Sequence, residues 1–351
     1  MNSLVRTGLI AASVSVLALS AHAEITLIAN EPGPNRGVRA KAVEYIGQQI
    51  NERTGGEIRI EQNWGGALFK INAALESMST GVADIGLIIG AYAQSEFPEL
   101  AIGDLPVATA DPWVMMMAMN ELFHTNPRIQ ERLDELNLVY VAPFGTSQGI
   151  LGCQDKAIKS ADDFKGVKMR YAGAYGEIYS NLDANMVDMS IYDAFQGMET
   201  GLLECTLTYP YFAVATKLDD MLDSITPMNF NGSTSLGTFI NKLTFETLTP
   251  EQQKVVTSLD LDVINFYSEQ MFAADANAWA VMRDQKGIPV YELSPEDYAR
   301  MDKAAEPMIT RWKADATAKG FDADALLGEF RTLIDKYNAV VKSEGYPWDR
   351  S

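Results

Sequence analysis

The chain has 351 residues, two histidines, two cysteines and a formal charge of -19, from 28 Lys and Arg against 47 Asp and Glu. So acidic a surface repels nucleic acid and anionic lipid headgroups, which excludes both as partners. The count and spacing of Cys153 and Cys205 exclude a Cys-X-X-Cys redox motif and a cysteine zinc site, and the histidine count leaves almost no room for a triad or a multi-histidine metal site.

The opening residues, MNSLVRTGLIAASVSVLALSAHA, place Arg6 before an apolar run from Gly8 to Leu19 and end on Ala21-His22-Ala23. This pattern reads as a secretory signal peptide over residues 1–23, cleaved before Glu24. The run is shorter than the ~20 apolar residues that a membrane-spanning helix needs, and no later segment is long or apolar enough to insert directly. Removing the leader removes Arg6 and moves the charge from -19 to -20. It also leaves His124 as the one histidine, in NELFHTNPR near a helix end, where a solvated or capping role is the plain reading. The expected location is a bacterial periplasm.

A strand-then-helix rhythm follows. ITLIAN (Ile25 to Asn30) reads as a strand, and a helix runs from about Val38 to Arg53 with Val38, Ala42, Ile46 and Ile50 on one face. Thr54-Gly55-Gly56 stops it, EIRIEQ (Glu57 to Gln62) alternates as a strand, and a helix from Ile71 to Thr80 ends at Gly81. VADIGLIIG (Val82 to Gly90) is a buried strand, PWVMMMAMNELF is helical with methionines as core filler, and LVYVAPF (Leu138 to Phe144) is a strand. This alternation predicts an α/β fold with a parallel sheet.

Gly145 to Gly152 reads as a crossing into a second domain. That domain has VKMRYA as strand, Ala174 to Leu182 as helix, MVDM as strand, Ile191 to Gly201 as helix and LLECTLT as strand. Leu236 to Asn241 returns to the first domain. The expected division is residues 24–147 for lobe I, with about 236–265 returning to it, and residues 148–235 for lobe II. Thr249-Pro250-Glu251-Gln252 is a capping box, and no breaker follows until Gly287. A helix over residues 249–286 would be about 54 Å long, enough to brace both domains. Residues 287–351 read as further helices, and no convincing repeat is visible.

In an oxidising compartment Cys153 and Cys205 read as one disulfide; the alternative is two buried thiols. Arg170, at the end of VKMRYA, also has two readings. It grips a carboxylate with two parallel hydrogen bonds, or it caps strand carbonyls or pairs with one of the many acids. Asp188 and Asp193 are a pair that a secreted carboxylate-based hydrolase would use, though no motif supports them.

Five stretches carry a resemblance: TGGEIRIEQNWGGALF, STGVADIG, SADDFKGVKMR, YDAFQGMETGLLEC and LTPEQQKVV. In this order and spacing they resemble the periplasmic solute-binding subunit of tripartite ATP-independent periplasmic (TRAP) transporters, over essentially the whole mature chain. The resemblance implies a two-lobed clamshell crossed by a long helix, a small organic acid as ligand, membrane permease subunits as partners, no cofactor, no metal and no catalysis. A sensory binding protein that serves a receptor kinase is the other reading of such a chain.

In the family the arginine of the KGxKxR pattern pairs with the ligand carboxylate, and that position is Arg170. The resemblance extends the expected site to Trp64, Tyr171, Tyr175, Thr208 and Tyr209, with Arg36 or Arg39 supplying charge from the first lobe. Phe69 reads as core and Tyr192 as cover for its helix. Two departures stand out. Ile150 occupies the place of a second arginine found in many relatives, and Leu87, Ile88 and Ile89 replace polar residues. Both favour one carboxylate on a ligand smaller or less polar than a sugar acid.

Overall fold

The computed structural model describes residues 24–106, 111–171, 173, 175–228 and 232–350, so the expected leader lies outside the described residues. The strands are β1 (Ile25–Asn30), β2 (Ile58–Asn63), β3 (Ile85–Ile89), β4 (Leu138–Phe144) and β5 (Ile150–Cys153), followed by β6 (Lys168–Tyr171), β7 (Asn185–Asp188), β8 (Cys205–Thr208), β9 (Ser224–Pro227) and β10 (Leu236–Asn241). They form two five-stranded sheets, ordered β2-β1-β3-β10-β4 and β7-β6-β8-β5-β9. The protein is a two-lobed α/β structure with one sheet in each lobe.

The expectation of a parallel sheet is corrected: both sheets are mixed. β1 runs parallel to β2 and β3, as helical crossovers such as Gly37–Arg53 require, but β10 is antiparallel to β3 and β4. In the other lobe β6 is parallel to β7 and β8, while β5 is antiparallel to β8 and β9. The antiparallel strand is in each case the one that has just crossed from the opposite lobe. It enters from the hinge end and therefore runs against strands laid down within the lobe.

The two sheet orders are the same once β1, β2, β3, β10 and β4 are matched with β6, β7, β8, β5 and β9. The two lobes thus share one strand arrangement. Ile71–Ala73 and Ala74–Ser79 lead into β3 as a 3₁₀ turn and a helix, and Ile191–Asp193 and Ala194–Glu199 lead into β8 in the same way. Met78 and Met198 are buried beneath these helices, and Gly81 and Gly201 follow them at φ 76° and 70°. Asp84 then accepts from the Ile28 backbone N–H, and Glu204 from that of Lys168, each tying its turn to the neighbouring strand. The buried methionine, the left-handed glycine and an anchoring acid recur at matched positions of the two stretches because the turn into each strand has the same geometry.

Two of the connections between the lobes follow β4 and β9. The crossings lie side by side: Thr146 N–H donates to Ser233 O at 2.8 Å and Ser233 N–H donates to Thr146 Oγ1 at 2.8 Å. Helix Asp260–Trp279 backs them, with Tyr267 Oη donating to Gly145 O and Ser147 Oγ donating to Asp275 Oδ1. That helix packs on β4 and on helices Gly37–Arg53 and Pro112–Thr125 in one lobe, and on helix Pro210–Thr216 in the other.

The expected unbroken helix is instead a bent one. Pro250–Thr257 begins with the capping box, Ser258 and Leu259 interrupt it, Asp260–Trp279 continues, and a π-helical stretch, Ala280–Gln285, ends before Gly287. No proline or glycine marks the bend. Asp260, the first residue beyond it, is held by Asn120 Nδ2 at 2.6 Å and His124 Nε2 at 3.2 Å, contacts that no local pattern announces. His124 is thus a link between helices.

A second brace was not anticipated. Helix Pro295–Ala318 receives the Asn181 side-chain amide on Ala304 O in one lobe and donates from Trp312 Nε1 to Pro98 O in the other. Among the described residues no helix is long and apolar enough to cross a membrane.

Cys153 and Cys205 form a disulfide between directly opposed residues of β5 and β8, closing a loop with a sequence separation of 52. It anchors the incoming strand to the sheet it joins. The loop-entropy model values such a cross-link at about 4 kcal/mol. The double variant Cys153→Ala, Cys205→Ala is expected to lose up to about that much in urea unfolding; an unchanged midpoint would show that the bond does not contribute.

Candidate functional site

Pleat alternation along β6 sends Met169 into the core and Arg170 to the opposite face, towards the space between the lobes. The C-terminal ends of parallel strands are where α/β sheets bind ligands, and the ends of β3, β6 and β8 meet here. They enclose a cavity of about 70 Å³, floored by the paired crossings at Thr146 and Ser233. Arg170, Asp104, Tyr175 and Tyr209 supply polar groups, and Ile89, Leu207, Phe212 and Leu236 supply apolar wall.

Arg170 is 5% exposed. Among the described residues its Nη1 reaches only the Leu207 carbonyl, at 3.4 Å, its Nε has no hydrogen-bond partner and no carboxylate pairs with it. Desolvating a guanidinium without an anion costs several kcal/mol.

Arg39 lines the same cavity but is committed elsewhere. Its Nε and Nη2 lie 3.1 and 2.8 Å from Glu31 Oε1, and Nη2 donates to Tyr192 Oη at 2.6 Å. Burial works most strongly against the Arg39 charge, but Glu31 together with the surrounding Tyr192, Tyr267 and Tyr211 outweighs it and raises its pKa. Because Glu31 and Arg39 belong to one lobe and Tyr192 to the other, the contact latches the cleft shut. Tyr92 adds a second tie by accepting from the Ile191 backbone N–H at 3.2 Å.

Asp104 stands 2% exposed at the end of a 3₁₀ turn, Ile102–Asp104. Its Oδ1 accepts from Ser233 Oγ at 2.5 Å, and Oδ2 has no partner among the described residues. Burial pushes its pKa up from 3.8 to about 6, against the hydrogen bonds from Ser233 and Ser235. Tyr209 and Tyr175 both titrate well above the usual phenol value because they are buried, with the Asp104 charge adding to the effect.

The other expected residues are distributed around this core. Tyr175 and Tyr209 line the cavity. Arg36 and Tyr171 border a separate, open groove of about 1260 Å³ outside the latch, together with Asp188 and Asp193, which are both exposed. Trp64 is half-buried and is not among the residues lining either space. Thr208 is wholly buried, with its hydroxyl unpartnered, and also lies off the cavity wall. Phe69 is core, and Ile150 sits in the apolar core of the second lobe. Among the described residues no three His, Cys, Asp or Glu side chains gather in a way that would hold a metal ion.

Sequence reasoning missed Asp104, Thr146, Ser233, Tyr211 and Phe212 as cavity residues and gave Tyr192 too small a part. The run Tyr209-Pro210-Tyr211-Phe212 was a usable signal: Pro210 starts a helix directly after β8, which aims the aromatics that flank it at the strand ends. Asp104 offered none, since its place depends on Ser233 across the hinge.

The profile described as bacterial extracellular solute-binding protein, family 7, matches residues 30–315. The chain belongs to this family. As a family 7 protein it is 24% identical over 285 residues to a solute-binding protein of Albidiferax ferrireducens, covering 78% of this chain and 80% of that one. A TRAP solute-binding protein from Rhodoferax ferrireducens, in complex with copurified benzoate, superposes with a TM-score of 0.79 at 21% identity, covering 90% of this chain and 99% of that one. A marine metagenome TRAP solute-binding protein in complex with metahydroxyphenylacetate gives 0.79 at 23% identity, covering 90% and 100%.

Two outcomes follow from the geometry. Tyr192→Phe removes the hydroxyl that Arg39 binds, and small-angle scattering should show a larger mean radius as the cleft opens; an unchanged profile would mean the latch does not hold it. The second concerns pH. With its folded pKa raised to about 6, Asp104 contributes stability that is fully present below 3.8 and lost as pH rises through 6. Asp104→Asn should therefore raise Tm at neutral pH, by the equivalent of roughly 3 kcal/mol, with the gain fading in acid.

Proposed function

We propose that this protein is the periplasmic receptor of a TRAP transporter, exported through a leader cleaved before Glu24. It captures a small organic monocarboxylate between its lobes and delivers it to the membrane permease subunits. The observation that carries this reading is Arg170, a buried cation with no acid beside it among the described residues. Since Glu31 already pairs with Arg39, Arg170 is the one guanidinium among the described residues of the enclosed cavity that is open to an anion, which favours one carboxylate over two.

Tyr175, Tyr209 and Phe212 around the cavity favour a compact body with substantial apolar or aromatic surface. The benzoate and metahydroxyphenylacetate bound by the two similar receptors fit that description. Closure removes water from the ion pair and strengthens it, and the latched shape is what a permease would recognise as loaded.

Isothermal titration with aromatic and short aliphatic monocarboxylates tests this reading. Arg170→Ala should weaken binding at least about 100-fold, as expected when one partner of a buried charge pair is removed. Arg170→Lys should recover only part of the loss, because an ammonium cannot form the two parallel bonds. Wild-type affinity in Arg170→Ala would overturn the assignment.

A further inference from the structure

Asp104 is the one charged group of the cavity that carboxylate capture leaves without a task. It is anchored through one oxygen to Ser233, at the point where the chain crosses between lobes, so its side chain is fixed in place. The other oxygen is buried and lacks a donor among the described residues, and Asp104 lines the cavity that Arg170 also lines. No Lys or Arg among the described residues forms an ion pair with it. A carboxylate oxygen held dry without a donor is costly.

A ligand with a hydrocarbon body would leave that oxygen unsatisfied, and one with a second acceptor there would add repulsion. A ligand N–H or O–H removes both costs. We propose that Asp104 is the specificity-determining acceptor of the site. Its free oxygen takes a hydrogen bond from the ligand, so the ligand is a carboxylate that also carries a donor group, in the class of hydroxy, amino and lactam acids.

This inference rests on the carboxylate reading and adds polarity to it: Arg170 orients one end of the molecule and Asp104 checks the chemistry of another part. Two fixed groups of opposite sign also set a direction in the cleft, which a single arginine cannot. A site built around a ligand donor rejects the analogue lacking it far more strongly than an apolar pocket rejects a missing methylene.

The test is calorimetry of the full mature protein with matched pairs that differ in a donor: mandelate against phenylacetate, 3-hydroxybenzoate against benzoate, and pyroglutamate against cyclopentanecarboxylate. In at least one pair the donor-bearing acid should bind about 30-fold tighter or more, and Asp104→Ala, which removes the acceptor, should bring that ratio to within about threefold. Carboxylates that bind without preference in all three pairs would overturn the role of Asp104 and leave the carboxylate reading standing. So would a preference that survives Asp104→Ala. If none of the six acids binds, the carboxylate reading fails and this inference falls with it.

Discussion

A guanidinium buried in a protein with 47 acidic residues, with none of the described ones paired to it, is the constraint around which the cavity is arranged. Pairing Arg170 internally would have been the stable solution for an isolated chain. Instead the nearby acids are occupied or neutralised: Glu31 is given to Arg39, and Asp104 is tied to Ser233 with its ionisation opposed by burial. The folded protein thus keeps a strong electrostatic demand unmet in a space from which water is largely excluded. A demand of this kind favours binding over folding stability.

Two crossings, hydrogen-bonded to each other and backed by helix Asp260–Trp279, put the floor of the cavity at the connection between the lobes. Thr146 and Ser233 therefore belong both to that connection and to the cavity wall. Closure is signed by Arg39 and Tyr192 at the mouth, where a charge already balanced by Glu31 can bond across the gap without competing for the ligand. The matched sheet orders of the lobes account for the symmetry of this arrangement, since each lobe offers strand ends to the same space.

Much of the fold was legible in the chain. β1, β4 and β10 have the boundaries that their sequence pattern indicates, because buried strands are set by local runs of apolar residues bounded by polar or turn-forming ones. The bend at Ser258 was not legible, since its cause is Asp260 reaching Asn120 and His124 on another helix. Nor was the brace formed by helix Pro295–Ala318, whose amphipathic pattern says that one face is buried but not that its ends lie on different lobes. Antiparallel insertion of β5 and β10 escaped for a related reason: alternation reports burial and not strand direction.

The pairing of Cys153 with Cys205 could be named from residue type and position, as could the acidic, two-lobed character of the protein, and Arg170, which lines the cavity, was singled out by its place in a motif. Those properties reside in local pattern and composition, which survive without knowledge of neighbours. Tertiary structure alone decided that Arg39 is a latch, that Arg36 and Tyr171 face the outer groove, that Trp64 stands aside and that Asp104 enters the cavity. Each of these turns on which residues, far apart in sequence, share a few ångströms of dry space. Charge, burial and partner then fix what a side chain does, and none of the three can be read from its own stretch of chain.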